Sequence, residues 1–273
     1  MINVLSLFDG MSCGRIALDK LDIPCKYYAS EIDEYAIQVS QANYPDTIQL
    51  GDITQVYWKD QNLHKHLQPN IDLLIGGSPC QGFSFAGKHL NFQDDRSILF
   101  FEYVRLINEV KPKYFLLENV KMKKESEDII SRYLGVSPIA INSSTLSAQN
   151  RQRLYWTNIP VSQPEDKGIK LKDILEDGVV DRDKSHCLDA NYWKGGNLKS
   201  YFEKHRRQLV FETDPSIDSD NLEWRKLTPI ECERLQTVPD NYTNHVSNTQ
   251  RYKMLGNGMT VDVIAHILKG MKL

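Results

Sequence analysis

Over the first 120 positions, apolar residues come in short dense runs at residues 2–8 (INVLSLF), 25–32 (CKYYASEI), 71–77 (IDLLIGG) and 113–120 (KYFLLENV). Each has strand length, and each is too continuous to be buried on one face only. Between them lie segments with helical spacing: GRIALDKL at 14–21, DEYAIQVSQANY at 33–44 and SILFFEYVRLINEV at 97–110. This strand–helix–strand alternation predicts an α/β fold, a mixed but mostly parallel sheet with helices on both faces. The pattern changes at residue 137, where SPIAINSSTL and QRLYWTNI (152–159) read as two strands of a hairpin joined by a polar loop.

From about 160 to 222 the chain is polar and weakly periodic, with a short helix expected at LKDILE (171–176) and a loop at ETDPSIDSDN (212–221). Order returns at Thr228-Pro229-Ile230-Glu231, which has the marks of a helix start. Thr228 is an N-cap, Pro229 stands at the first helical position and Glu231 lies three residues after the cap. At the end, GNGMTVDVIAHILKG (256–270) reads as a turn and then a helix with Val261, Ile264, Ala265 and Leu268 on one face. The expected organisation is a large domain over 1–156, continued by 224–273, with a small irregular insert at 157–223.

Composition narrows the function classes. The 273 residues suffice for one large domain or one plus a smaller partner, and 41% hydrophobic with 25% charged residues is ordinary for a globular chain. A formal net charge of −3 gives no global nucleic-acid signal, so such a partner would need a local basic surface. No run approaches the ~20 apolar residues of a membrane helix, and the N-terminus reads as a first strand rather than a signal peptide. Five cysteines, odd in number and without a CxxC pair, argue against a disulfide framework or a zinc site and for a reducing cytoplasm.

Candidate chemistry sits where the strands end. SLFDGMSCG (6–14) turns strand one into helix one, with Gly10 and Gly14 allowing close backbone approach to a ligand. About 20 residues on comes Glu31, the spacing of a ribose-binding acid, and Asp52 follows the next short strand. The GxGxxG pattern is absent, which favours a ligand without a pyrophosphate; ordinary turns and solvated acids are the plainer alternative. Cys80 follows Pro79 on a loop with Gly76, Gly77 and Gly82, placed for access rather than burial, although free cysteines are more often small packing residues. Glu118 and Asn119 are expected just past a strand, where a partly desolvated carboxyl can donate a proton or hydrogen bond. Arg151 and Arg153 alternate, and so share a face if extended.

PCQ (79–81), ENV (118–120) and QxRxR (149–153), in that order after FDG (8–10), resemble the signature of the DNA (cytosine-5) methyltransferases. So do RSILFFEYVRLI (96–107), RKLTPIECERLQTVPDNY (225–242) and the GN before the last helix. The similarity runs from Val4 to Arg153 and from Arg225 to Leu268. It implies a Rossmann-like methyltransferase that uses S-adenosylmethionine, releases S-adenosylhomocysteine and needs no metal. Phe8, Asp9 and Gly10 would line the cofactor site, with Glu31 on the ribose, Ile32 against the adenine and Asp52 accepting from its amino group. Ile53, Leu99 and Asn257 would complete that pocket. Cys80 would attack C6 of a cytosine flipped from the duplex, Glu118 would bond N3 and the exocyclic amine, and Arg153 would hold O2. Pro79, Asn119 and Arg151 belong to the same catalytic set, and Gln81 and Ser84 would touch DNA. Many of these enzymes carry a denser glycine run after FxG, where this chain has Ser12 and Cys13 before Gly14. That feature, with ASEID (29–33) and NYTNHVSN (241–248), is more similar to the de novo methyltransferases of eukaryotes and their bacterial or phage relatives. Cys13 is expected to be a packing residue.

The insert falls where these enzymes carry their target-recognition segment. Between residues 184 and 210 six Lys/Arg face two Asp/Glu, with Tyr192, Trp193 and Tyr201 interleaved. Lys194 and Asn197, in the glycine loop ANYWKGGN, are candidate base or phosphate readers. Arg206 and Arg207, in KHRR, are expected at a phosphate-facing or solvated helix end. The implied partner is double-stranded DNA, with no membrane and a restriction enzyme as a further candidate. Monomer is the default, with self-association through exposed helices left open, and the compartment is the cytoplasm of a bacterial or phage-infected cell. Alternatives are a tRNA cytosine-5 methyltransferase, an inactive DNA-binding relative, and an NAD-binding oxidoreductase, the last leaving PCQ, ENV and QxRxR unexplained.

Overall fold

The computed structural model describes residues 1–57, 70–78, 95–214 and 222–273. Its frame is a seven-stranded sheet in the order β3-β2-β1-β4-β5-β7-β6. β1 (Ile2–Leu7) lies between β2 (Cys25–Ser30) and β4 (Leu73–Gly76), parallel to both. β3 (Ile48–Gln49) adds parallel to β2, and β5 (Tyr114–Val120) adds parallel to β4. β7 (Gln152–Thr157) runs antiparallel along β5, with β6 (Ile139–Asn142) at the outer edge.

The chain order explains the layers. From β1 it steps outward through α1 (Cys13–Asp19), β2, α2 (Glu34–Asn43) and β3. It then returns to β4 and steps the other way through α3 (Asp95–Val110), β5 and α4 (Lys124–Leu134). Right-handed crossovers in opposite directions put the two helix pairs on opposite faces, with the reversal between β1 and β4. Val4, Leu5, Leu7, Leu73, Leu74, Ile75, Leu116 and Leu117 are fully buried, which is why these strands read as continuous apolar runs.

The expected hairpin at 137–159 forms as β6 and β7. A 3-10 turn at Ser143–Thr145 closes it, with Asn142 Oδ1 accepting from the Ser144 and Arg151 amides. The last helix forms as α8 (Val261–Leu268), with Val261, Ile264, Ala265 and Leu268 buried as expected and Val263 and Ile267 buried beside them. Two expectations need correcting. LKDILE makes only one 3-10 turn, Leu171–Ile174. Glu118 and Asn119 lie inside β5, because pairing with β7 extends that strand to Val120.

The chain divides into two compact units: Met1–Ile141 with Gln152–Ser162 and Ala265–Leu273, and Asn142–Arg151 with Gln163–Ile264. By packing, residues 224–264 group with the second unit, so the chain rejoins the first at Ala265 rather than at 224.

The second unit has little regular structure: α5 (Leu198–Lys204), the β8–β9 ribbon (Leu209–Phe211, Trp224–Lys226), α6 (Pro229–Leu235) and α7 (Asn248–Asn257). Buried and half-buried polar groups pin it. Lys184 Nζ donates to the carbonyls of Ser144, Ser147 and Ile169 at 2.5, 3.1 and 2.6 Å, using all three of its donors. Glu233, fully buried, accepts from the Asn241 and Thr243 amides at 2.7 and 2.8 Å and pairs with Arg251 at 3.1 Å. At α6 the expected capping box forms between Thr228 and Glu231, with Pro229 at the start of the helix.

Candidate active site

The first unit gathers its sequence-predicted residues at the carboxyl edge of the sheet. After β1 the backbone is left-handed at alternate residues, Phe8 (φ 56°), Gly10 (φ 57°) and Ser12 (φ 63°). The Gly10 amide donates to Glu31 Oε2 at 2.7 Å, while Glu31 Oε1 accepts from the Ile32 and Asp33 amides at 2.8 and 2.9 Å. Both oxygens of Glu31 are thus fixed at the end of β2, with Oε1 filled by two amides and Oε2 keeping a lone pair to spare. A Cβ built on Gly10 would meet nothing within 4 Å, and Ile32 is 75% exposed, unusual for a large apolar side chain. Asp52 is exposed and takes the Thr54 amide at 2.9 Å, whereas Ile53 belongs to the core and Leu99, partly buried, packs against it.

Two residues of this loop face the protein instead. A Cβ on Gly14 would come within 2.9 Å of the Tyr27 hydroxyl and 3.2 Å of Ile75, so that glycine serves helix-to-sheet packing rather than ligand approach. Asp9 is buried, and its carboxylate accepts from Ser6 Oγ (2.6 Å), Ser12 Oγ (2.5 Å) and the Tyr27 hydroxyl (2.8 Å). Burial pushes its pKa above the ordinary value against the opposing pull of those hydroxyls, and burial likewise raises the Tyr27 phenol.

At the other half of the edge, Glu118 is 9% exposed and pairs with Arg153 Nε at 3.0 Å. The pairing follows from register. Arg153 stands opposite Val120, and Glu118 lies two residues along β5 on the same face, a diagonal neighbour. A Cβ on Gly77 would sit 3.3 Å from Glu118 Oε2, so glycine there leaves the carboxylate uncrowded. Asn119 points to the other face, where its Nδ2 donates to the carbonyl and hydroxyl of Ser78 at 3.2 and 3.3 Å. Ser78 is the residue before Pro79-Cys80. Pro79, Cys80, Gln81 and Ser84 lie outside the described residues.

Arg151 does not share a face with Arg153. It precedes β7, where Asn142 holds its amide out of the ladder, and its 2%-exposed guanidinium donates to the carbonyls of Leu188, Gly256 and Gly258 in the second unit. Asn257, between those two glycines, is the exposed last residue of α7.

Within the insert, Asn197 is the N-cap of α5, its Oδ1 taking the Ser200 amide at 2.6 Å. Arg206 and Arg207 follow α5, as expected, and both lie against Asp189, at 3.4 and 3.6 Å. Lys194 is exposed, its Nζ 5.1 Å from the centre of the Trp193 ring. Sequence reasoning missed Ser6, Ser12, Tyr27 and Ser78 as parts of the site; the one signal was Ser12 itself, standing where a glycine is usual in the resembled pattern. Among the described residues no cluster of three or more His, Cys, Asp or Glu could hold a metal, and no helix is long and apolar enough to cross a membrane.

Comparison with known proteins bears on this geometry. The family model for C-5 cytosine-specific DNA methylase matches residues 2–167 and 123–273. Type II methyltransferase M1.ScrFI of Lactococcus lactis subsp. cremoris is 31% identical over 98% of this chain and 77% of its own length. Type II methyltransferase M.NlaX of Neisseria lactamica is also 31% identical, over 100% and 96%. The solved structure of the methyltransferase EhMeth of Entamoeba histolytica superposes with a TM-score of 0.79 over 99% of this chain and 97% of that one; at 19% identity this is a likeness of fold. With a family match over nearly the whole chain and two such relatives, this protein is a member of the C-5 cytosine-specific DNA methylase family.

Proposed function

We propose that the protein methylates C5 of a cytosine flipped out of double-stranded DNA, using S-adenosylmethionine and a covalent bond between Cys80 and C6. The observation that carries this reading is the pair of buried Glu118 with half-buried Arg153 at the sheet edge, beside an Asn119 that tethers Ser78 at the entry to the Pro79-Cys80 segment. The residues present also fit a nucleoside donor without a pyrophosphate. Gly10 leaves open space, Glu31 is fixed to receive a ribose, Ile32 offers an exposed apolar face and Asp52 an exposed acceptor.

S-adenosylmethionine, when bound, supplies an electrophilic methyl group. The Cys80 thiolate attacks C6, and the displaced electron pair makes C5 nucleophilic. Glu118 bonds N3 and the exocyclic amine, where charge develops. The cytosine O2 competes for the guanidinium of Arg153, which loosens the ion pair and frees Glu118 to carry the proton that N3 accepts. Once C5 holds the methyl group, water takes the C5 proton, the C6–S bond breaks with its electrons on sulfur, and N3 gives its proton back to Glu118, which returns the Cys80 thiolate. Asn119 acts one step back, holding Ser78, two residues before Cys80 in the chain. Lys194, Arg206 and Arg207 supply cationic contacts to the DNA backbone from the insert, and a restriction enzyme of matching specificity is the natural partner.

The test is transfer of labelled methyl groups to mixed-sequence duplex DNA and to total tRNA, with Cys80→Ser alongside. Label in DNA that disappears in the variant, located at 5-methylcytosine by sequencing, supports the reading. Label in tRNA alone would overturn the substrate.

A further inference from the structure

We infer that Asp9 and Ser12 are a matched pair in which the buried carboxylate supports a left-handed backbone at Ser12 and thereby sets the donor-binding loop; this rests on the functional reading above. The loop is left-handed at residues 8, 10 and 12, and only residue 10 is a glycine. A residue with a Cβ avoids that region unless something local holds it there.

For Ser12 the holding groups are visible. Ser12 is fully buried and stands at the N-cap of α1, yet its hydroxyl caps nothing. It donates to Asp9 Oδ2 at 2.5 Å, so the contact with Ser40 Oγ at 2.7 Å is one in which Ser40 donates. The Ser12 amide donates to the Asp9 carbonyl at 3.1 Å, closing the turn around Gly10. Through Ser6, Tyr27 and Ser12 the single Asp9 carboxylate ties β1, β2 and α1 together, with α2 reached through Ser40.

The consequence for function runs through Gly10. Its amide meets Glu31 only if the turn between Asp9 and Ser12 keeps its shape. Asp9 is therefore a positioning residue, with its own side chain turned away from the ligand. It does for Ser12 what a glycine would do without help, and the two positions should be interdependent.

The test measures S-adenosylmethionine dissociation constants by calorimetry for the full-length wild type, Asp9→Ala, Ser12→Gly and the double variant, with thermal melts alongside. Asp9→Ala should weaken binding by about tenfold to a hundredfold. Adding Ser12→Gly should restore it to within about threefold of Ser12→Gly alone, since glycine needs no support at that φ. Asp9→Asn, which preserves volume and loses part of the acceptor set, serves where Asp9→Ala does not fold, and should fall between wild type and Asp9→Ala. In methyl transfer the KM for S-adenosylmethionine should rise more than the saturated rate falls. Wild-type affinity in the Asp9 variants, or a loss unaltered by Ser12→Gly, overturns the inference. A wild type that binds no S-adenosylmethionine overturns the functional reading itself, and this inference with it.

Discussion

In the first unit, Gly10, Glu31, Asp52 and Glu118 come from four different strands or the turns that follow them, and all stand at one edge of the sheet. In the second, Asn197, Arg206 and Arg207 stand at the two ends of one short helix, and each is engaged by its own surroundings. The first arrangement is imposed by topology: parallel strands end on the same side, so any residue placed at a strand end joins the others. The second is imposed by side chains meeting backbone. A unit whose described residues form two short strands and three short helices is held by polar groups such as the buried Arg151 and Glu233 and the half-buried Lys184. Substitutions should therefore separate the units by what they damage, fold in one and rate in the other.

The largest effect belongs to the second unit. Glu233→Ala removes the acceptor for two backbone amides and leaves the buried Arg251 guanidinium without its carboxylate. Breaking a buried pair this way costs about 3–5 kcal/mol, to be read as a lower urea midpoint. A change within the scatter of surface substitutions would mean that polar networks do not hold this unit. Next comes Glu118→Gln, which keeps shape but, on the proposed mechanism, can no longer take or give the N3 proton. Its turnover should fall about 10²–10³-fold, the scale of losing one preorganised stabilising group, while its melting temperature drops far less than that of Glu233→Ala. A Glu118 variant that loses stability and keeps its rate would erase the contrast.

The same contrast explains what was legible in the sequence. Continuous apolar runs identified β1, β2, β4 and β5, and because strand ends converge, Gly10, Glu31 and Glu118 could be named together before any partner was known. Thr228, Pro229 and Glu231 were equally readable, since a capping box is local. What failed needed partners distant in sequence. Arg151 was grouped with Arg153 by alternation, but Asn142 keeps it outside β7 and carbonyls more than 100 residues away claim its guanidinium. Gly14 looked like a ligand turn until Tyr27 and Ile75 appeared above it. Asp9 sits in the right loop with its side chain turned inward, a direction that no spacing encodes.

A smaller effect should appear with pH in the second unit. Burial and the neighbouring Arg182 hold the His186 pKa down at about 4, against a weaker pull from Asp181, while His205 adds to the depression. Arg182 donates to His186 Nε2 at 2.6 Å, so the folded state keeps this ring neutral. The unfolded chain, with an ordinary histidine pKa near 6.5, binds the proton more readily. The contribution is therefore fully present above about pH 6.5 and lost as pH falls toward 4. Urea midpoints at pH 7 and pH 5 should differ for the wild type and converge in His186→Gln. Equal shifts in both proteins would assign the dependence to other groups.

The smallest effects separate the proposed DNA contacts of the second unit from the side chains that build it. Lys194 lies exposed over Trp193, and its ammonium forms no carboxylate pair at salt-bridge distance among the described residues. Asn197 spends its acceptor on α5. If Lys194 contacts a phosphate, Lys194→Ala should weaken DNA binding alike for all sequences and reduce the slope of log K against log salt by about 0.9. Asn197→Ala should instead cost about 1 kcal/mol of stability through the lost cap and leave that slope unchanged. The two variants differ by three positions in one loop and by no net structure, so titrations at four salt concentrations with paired melts suffice. A slope change in Asn197→Ala with its melting temperature intact would return that residue to the DNA-reading set, and would show that a side chain occupied by its own helix can still serve the duplex.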